Sequence, residues 1–252
     1  MLGHDHSAES TRKLAAYAQL QLLRQQNERK YSAHPWPYLK EAVYTFDPFA
    51  GGEEGGGIRK YPGGQIDDPA PNCRCTPGGC QNYLEHLVNR WFQYPRIAWP
   101  KSRRLLTSWT IIACHEWLAR YRPGQVIALV SRKQGQNEEE GSAELIKRAG
   151  FIAQHLPVEV MPREVVPTWC RLRYPHNGSV IVGIAQGADQ IRGLTVTAYF
   201  GDEFAFWERA AETYAASLPA LEGGGRCALV STANPGTMER LVHDQWSTAG
   251  AE

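Results

Sequence analysis

The stretch that decides the fold is Val196-Thr197-Ala198-Tyr199-Phe200-Gly201-Asp202-Glu203, an apolar strand that ends in two adjacent carboxylates. Unbroken apolar runs of this kind are typical of strands covered on both faces. Similar runs occur at 96–99, 126–131 and 227–231, and segments with helical periodicity separate them. This alternation predicts an α/β fold with a mostly parallel central sheet flanked by helices.

Asp202 and Glu203 have the arrangement that nucleotide hydrolases need. The first carboxylate can hold Mg²⁺, and the second can orient or deprotonate the attacking water. Ligands of parallel sheets bind at the carboxyl ends of the strands, where this pair lies. Taken alone, the pair is equally compatible with the start of a surface turn.

A basic segment, Lys101-Ser102-Arg103-Arg104-Leu105-Leu106-Thr107-Ser108, follows the strand at 96–99 and opens a helix. It keeps only the final hydroxyl of the pattern G-x-x-x-x-G-K-[ST]. A phosphate loop needs converging backbone N–H groups at a helix N-terminus, a cation and a hydroxyl, and this segment can supply all three. Leu106 puts the tight loop in question, because leucine tolerates positive φ poorly. The alternative is a basic turn before an amphipathic helix.

Two further polar segments could contribute to such a site, one after the predicted strand at 227–231 and one in a loop eleven positions before Glu203. Ser231-Thr232-Ala233-Asn234-Pro235 carries small side chains that can hydrogen-bond a γ-phosphate or its water. Arg192 stands beside Gly193 and suits a mobile guanidinium that meets the transferred phosphate, in cis or from a neighbouring subunit. Individually they are compatible with a polar turn and a surface arginine.

In their order and spacing these segments resemble the ATPase domain of tailed-bacteriophage terminase large subunits, across residues 84–240. The resemblance implies a P-loop NTPase fold of the ASCE type. That family has phosphate loops of the form K-S-R-R-x-G-x-[ST]-W. This sequence matches it at residues 101–104, Ser108 and Trp109, and departs from it at Leu106, where the family has glycine.

The resemblance also implies a role for each segment. Residues 101–108 would bind the phosphates of ATP, and Mg²⁺ would lie between Ser108 and Asp202. Glu203 would be the catalytic base, Arg192 the arginine finger, and residues 231–234 the coupling motif. The adenine-contacting glutamine of the family lies just upstream of the loop, which makes Gln93 the candidate.

By the same resemblance, ATP hydrolysis would drive double-stranded DNA into a viral procapsid in the host cytoplasm. The partners would be the portal protein and the terminase small subunit, and the chain would form a homo-oligomeric ring when assembled but could be a monomer in isolation. We expect no nuclease activity, because the sequence ends 17 residues after Pro235, before the family's nuclease domain. Alternatives are a helicase-like translocase and a degenerate nucleotide- or DNA-binding adaptor.

Composition restricts where DNA could bind. The formal net charge of the 252 residues is +1, so phosphate contacts must come from local basic clusters. Candidates are the pairs Arg132-Lys133 and Arg171/Arg173. No apolar run approaches the roughly 18 residues of a membrane helix, and we expect no membrane partner.

The sequence divides at residue 83 into an N-terminal extension and the ATPase domain at 84–252. The extension is predicted to have a helix at 8–31 and an irregular Gly/Pro-rich connector at 32–80. The connector contains Cys73, Cys75 and Cys80, which with His86 could bind Zn²⁺ tetrahedrally. The alternative is three reduced thiols and a histidine at a helix start.

Overall fold

The centre of the molecule is a seven-stranded sheet. The structure, a computed structural model, describes residues 6–47, 56–62, 82–103, 105–131, 140–186, 195–221 and 223–245. The strands of this sheet are β3 (Arg96–Pro100), β4 (Val126–Val130), β5 (Val166–Thr168), β6 (Arg171–Tyr174), β7 (Ser179–Ile184), β8 (Ala198–Asp202) and β9 (Arg226–Ser231). Their order across the sheet is β3-β9-β8-β4-β7-β6-β5.

The first five strands in that order are parallel, and β6 and β5 extend the sheet as antiparallel strands at one edge. β9 lies between β3 and β8. Pro100 of β3 is opposite Ser231 of β9, and Asp202 of β8 is opposite Val230. The carboxyl ends of the three strands consequently meet at one end of the sheet. The predicted mostly parallel sheet with flanking helices is confirmed.

Helices cover both faces of the sheet. They are α1 (His6–Ala33), α2 (Pro35–Ala42), α3 (Tyr83–Gln93), α4 (Thr107–Tyr121), α5 (Glu140–Gln154), α6 (Ala210–Leu221) and the short α7 (Thr237–Arg240). Strand alternation separates two cores: Ile127 and Leu129 lie in the core with α4 and α5, and Ala128 lies in a second core with Tyr199 and Ala210. No helix within the described ranges is long and apolar enough to cross a membrane.

The N-terminal segment is more regular than the sequence suggested. The expectation of an irregular connector at 32–80 is wrong for α2 and for an antiparallel hairpin of β1 (Tyr44–Asp47) and β2 (Gly57–Lys60). Pro35 occupies the first turn of α2, where a missing N–H is tolerated, and the His34 side chain accepts a hydrogen bond from the Trp36 amide at 3.1 Å. Buried Tyr38 and Leu39 then join the core of α3 and α4.

A buried polar cluster fixes this segment to the sheet. The Glu116 carboxylate on α4 pairs with Arg120 Nε at 2.9 Å. It also accepts hydrogen bonds from Tyr38 of α2 at 2.5 Å and from Tyr174 of β6 at 3.4 Å. A buried charge needs such partners to offset its lost hydration. The cluster thus ties α2, α4 and β6 together.

His115 gives the fold a pH-dependent stability. It is fully buried, its Nδ1 is 2.7 Å from the Ile111 carbonyl, and its Nε2 has no hydrogen-bond partner in the described part of the chain. Burial, assisted by the charge of Arg226 and opposed by the Ile111 bond, lowers the pKa of His115 to about 4 from 6.5. Between pH 6.5 and about pH 4 the unfolded chain therefore binds a proton at His115 that the folded core excludes.

We predict that protonation of His115 in the unfolded chain lowers the protein's free energy of unfolding by about 3 kcal/mol as the pH falls from 6.5 to about 4. Above pH 6.5 this loss is absent. His115→Phe should flatten this pH dependence, because phenylalanine cannot take up the proton. Urea unfolding at several pH values measures the difference between the two proteins. If the free energy of unfolding depended on pH equally in the parent and in His115→Phe, the prediction would be contradicted. The raised pKa of Asp202 has the opposite effect on stability as the pH falls, but it is present in both proteins and does not alter their difference.

Candidate functional site

Lys101 stands where the three parallel strand ends meet. Its backbone N–H donates to the Ser231 carbonyl at 2.9 Å, which fixes the start of the loop against the end of β9. Its Nζ pairs with Glu203 Oε1 at 2.8 Å, and the Lys101 side chain is only 8% exposed. The expected phosphate-binding cation and the expected catalytic base are therefore ion-paired with each other.

Ser108 and Asp202 form the second contact across the site. Ser108 Oγ donates to Asp202 Oδ1 at 2.9 Å, and Asp202 is buried. Burial raises the pKa of Asp202, and repulsion by Glu203 adds to it, while the bond from Ser108 and the charge of Lys101 offset only part of the effect. A buried carboxylate beside a hydroxyl is an oxygen donor set that fits Mg²⁺.

Glu203 is held by three donors. Besides Lys101, the backbone N–H and the hydroxyl of Thr232 donate to its Oε2 at 3.4 and 3.3 Å. Burial opposes ionisation, but the hydrogen bond and charge of Lys101, together with Thr232, outweigh it and hold the pKa of Glu203 below its usual value. Glu203 also has φ of 51°, a left-handed conformation uncommon for a residue other than glycine. Strained backbone of this kind concentrates at functional sites.

The turn after β9 is bonded to the segment after β8. Ser231 Oγ accepts a hydrogen bond from the Ala205 amide at 3.1 Å, and Asn234 Nδ2 donates to the Ala205 carbonyl at 2.9 Å. Three of the four predicted coupling residues thus contact Glu203 or Ala205: Ser231, Thr232 and Asn234. The fourth, Ala233, is exposed. The two hydrogen bonds therefore join the turn after β9 to the segment that follows Glu203.

Leu106 has a left-handed backbone, a conformation that glycine adopts readily. Its φ and ψ are 54° and 8°, and it is the N-cap of α4 without a side-chain cap. The left-handed conformation is costly for leucine because its Cβ crowds the neighbouring carbonyl. The loop therefore keeps a tight turn at this position despite lacking glycine.

A cavity of about 680 Å³ lies beside the loop. Residues 105–109 line one side, and the β1–β2 hairpin lines the other with Phe46 and Arg59. Arg148 of α5 also lines it, with its guanidinium 5.6 Å from the centroid of the Trp109 ring. The volume is in the range of small-molecule sites. The hairpin and Arg148 were missed from the sequence, where no local pattern links them to the loop.

Gln93 is not brought to this cavity. It is exposed at the end of α3, before β3 begins, whereas the loop follows the other end of β3. A five-residue strand spans about 16 Å, so Gln93 lies near the opposite end of the sheet.

Four other residues predicted to bind phosphate or DNA are exposed: Ser102, Arg103, Arg171 and Arg173.

Several predicted residues lie outside the described ranges. They are Arg104, Arg192, the pair Arg132-Lys133, and Cys73, Cys75 and Cys80. His86, the fourth predicted zinc ligand, is in the first turns of α3 with its ring 5.8 Å from that of Trp99. The arginine finger and the zinc site stay predictions.

Comparison with known proteins gives structural matches only. No protein-family model matches the sequence, and neither does any curated protein. The chain is similar in fold to a phage large-terminase ATPase domain. Against that domain from Thermus phage P74-26 the identity is 19% and the TM-score 0.49, covering 63% of this chain and 66% of the other. A point mutant of the same domain gives 16% and 0.47, covering 63% and 68%.

We predict that Leu106→Gly is more stable than Leu106→Ala by about 1 kcal/mol, because only glycine adopts a left-handed backbone without a steric cost. Both variants lose the contacts that leucine makes beyond Cβ, so their difference reports the cost of placing Cβ on a left-handed backbone. Thermal or urea unfolding measures it.

The matched control is the same pair of substitutions at Lys147, an exposed residue inside α5. There the usual order in helices should hold, with the alanine variant more stable than the glycine variant by about 1 kcal/mol. Finding that usual order at position 106 as well would contradict a left-handed Leu106.

Proposed function

We propose that this chain is an ATPase. The observation that carries the proposal is the meeting of a cation, two carboxylates and two hydroxyls at three adjacent strand ends: Lys101, Asp202, Glu203, Ser108 and Thr232. These are the groups that phosphoryl transfer to water requires for charge stabilisation, metal binding and positioning of the nucleophile. The adjoining cavity of about 680 Å³ offers space for the rest of a nucleotide.

In this proposal the phosphates of ATP lie over the start of α4, where free backbone N–H groups and the helix dipole favour anions. Ser108 and Asp202 would hold Mg²⁺, which when bound would neutralise charge on the phosphates. The nucleoside would extend toward Phe46 and Trp109. Arg59 and Arg148 are cations that line the same cavity.

Glu203 would accept a proton from the attacking water. With Lys101 paired to it, the carboxylate is a weaker base, because the ammonium stabilises its ionised form. If Lys101 turned to a bound phosphate, Glu203 would lose that stabilisation and become more basic. Thr232 would keep the carboxylate in place during the exchange.

We further propose that hydrolysis moves double-stranded DNA, as the resemblance of the motifs to terminases implies. Thr232 and Asn234 would transmit the state of the site to the rest of the chain, since they bond the segment that carries Glu203. A neighbouring subunit would supply Arg192 in a ring docked at a procapsid portal, with the small subunit as a further partner, in the host cytoplasm. DNA phosphates would contact basic side chains such as those of the pair Arg171/Arg173.

We predict that Glu203→Gln lowers DNA-stimulated ATP turnover at least ~100-fold, because an amide cannot accept the proton of water. Nucleotide binding should persist. The matched control is Glu208→Gln, an exposed glutamate of the following turn, which should leave turnover unchanged. Turnover is measured by phosphate release, and binding by calorimetry with a non-hydrolysable ATP analogue.

Turnover that survives Glu203→Gln would refute the assignment of the base. Nucleotide binding without turnover in the parent chain, even at protein concentrations that allow a ring, would favour the degenerate adaptor instead. The observation that favours this alternative is Leu106, which stands where the phosphate-loop pattern has glycine.

A further inference from the structure

We propose that Tyr83 and Tyr61 are positioning residues that hold the phosphate loop in its left-handed turn, a task that glycine performs in ordinary phosphate loops. The inference rests on the proposed function for its consequence, nucleotide binding. It rests on the hydrogen bonds around Leu105 and Leu106 for its mechanism.

Tyr83 holds the first of two successive carbonyls. Its hydroxyl donates to the Leu105 carbonyl at 2.9 Å, although the two residues are 22 positions apart. Tyr83 is the first residue of α3, and that helix start is itself anchored. Asn82 accepts a hydrogen bond from the Leu84 amide at 2.9 Å and donates to the Pro62 carbonyl at 2.9 Å. The start of α3 therefore fixes the position from which the Tyr83 hydroxyl donates to the loop.

Tyr61 acts on the second carbonyl through Thr110. Its hydroxyl is 2.7 Å from Thr110 Oγ1, and Thr110 Oγ1 donates to the Leu106 carbonyl at 3.0 Å. The Thr110 backbone N–H donates to the same carbonyl at 2.9 Å. Tyr61 is buried beyond the end of β2, so the N-terminal segment reaches into the first turn of α4.

The two contacts have a shared effect on the loop. Carbonyl oxygens engaged by hydroxyls are not free to face an anion, and the peptide units on both sides of Leu106 are fixed in direction. Phosphate cradles require this, because N–H groups must point at the anion while carbonyls point away. Neither tyrosine hydroxyl has a hydrogen bond to Lys101, Asp202 or Glu203 among the described residues, so the effect acts through the loop.

The strain at Leu106 explains why nucleotide affinity should depend on these supports. A strained turn that is populated only with its supports loses competent population when one support is removed, and apparent affinity falls by the same fraction. Glycine has no such strain, so the same loss should then matter less. Tyr83 and Leu106 should therefore be energetically coupled.

The experiment compares Tyr83→Phe with Tyr94→Phe in the full chain. The two tyrosines are matched, with exposures of 41% and 42%, and they stand at opposite ends of α3. The Tyr94 hydroxyl accepts a hydrogen bond from Arg90 at 3.1 Å, within the same helix end and away from the loop.

We expect Tyr83→Phe to weaken the binding of the ATP analogue about 5-fold, the effect of losing one typical hydrogen bond. It should also speed hydrogen exchange of the amides at 107–112. Tyr94→Phe should change neither.

In the Leu106→Gly background, the effect of Tyr83→Phe on affinity should shrink to less than about 2-fold. Equal affinity and equal exchange for Tyr83→Phe and Tyr94→Phe would overturn the inference while leaving the proposed function standing. A parent chain that binds no nucleotide would overturn the proposed function, and the exchange rates alone would then decide whether Tyr83 holds the loop.

Discussion

The parallel register of β3, β9 and β8 is the constraint on which the candidate site depends. Because β9 lies between the other two strands, the segments that follow all three strands emerge side by side. Lys101 can then reach Glu203, although 102 positions separate them in sequence. A different strand order would leave the same residues on the chain but place them several strand widths of about 4.8 Å apart.

The two carboxylates of the site have different surroundings as a result of this arrangement. Asp202 is buried and bonded to the Ser108 hydroxyl and a backbone amide, whereas Glu203 is less buried and has a full ion pair. Their pKa values consequently shift in opposite directions, up for Asp202 and down for Glu203. Two adjacent carboxylates with separated environments can take different roles, one as a metal ligand and the other as a base.

Much of the fold was predictable, because buried parallel strands and long helices leave strong local patterns. The strand before Asp202 and the strands expected at 96–99, 126–131 and 227–231 lie within a few residues of their observed bounds. The prediction of irregular structure at 35–47 was wrong because it took the prolines as signs of a loop. Pro35 instead starts a helix that its buried aromatic neighbours stabilise. The three-residue β5 contains Pro167, which an edge strand tolerates but which hides it in the sequence.

The juxtaposition of candidate residues was predictable where polar side chains stand at strand ends, as for Asp202 and Ser231, or at the helix start after a strand, as for Ser108. It was not predictable where contacts join distant segments. Gln93 was chosen by its position along the chain, and the intervening β3 carries the loop away from it. Tyr83 and Tyr61 follow no local pattern, because their contacts with the Leu105 carbonyl and the Thr110 hydroxyl depend on how α3 and the end of β2 pack against α4.

The β1–β2 hairpin has a consequence for how the chain can be divided. A fragment that starts at α3 would keep the whole seven-stranded sheet and yet lose one wall of the cavity, including Phe46 and Arg59. It would also strip Tyr38 from the buried Glu116 cluster. The smallest unit that keeps both walls of this cavity is therefore larger than the smallest unit that completes the sheet, and a boundary drawn from the sheet alone would cut through the cavity.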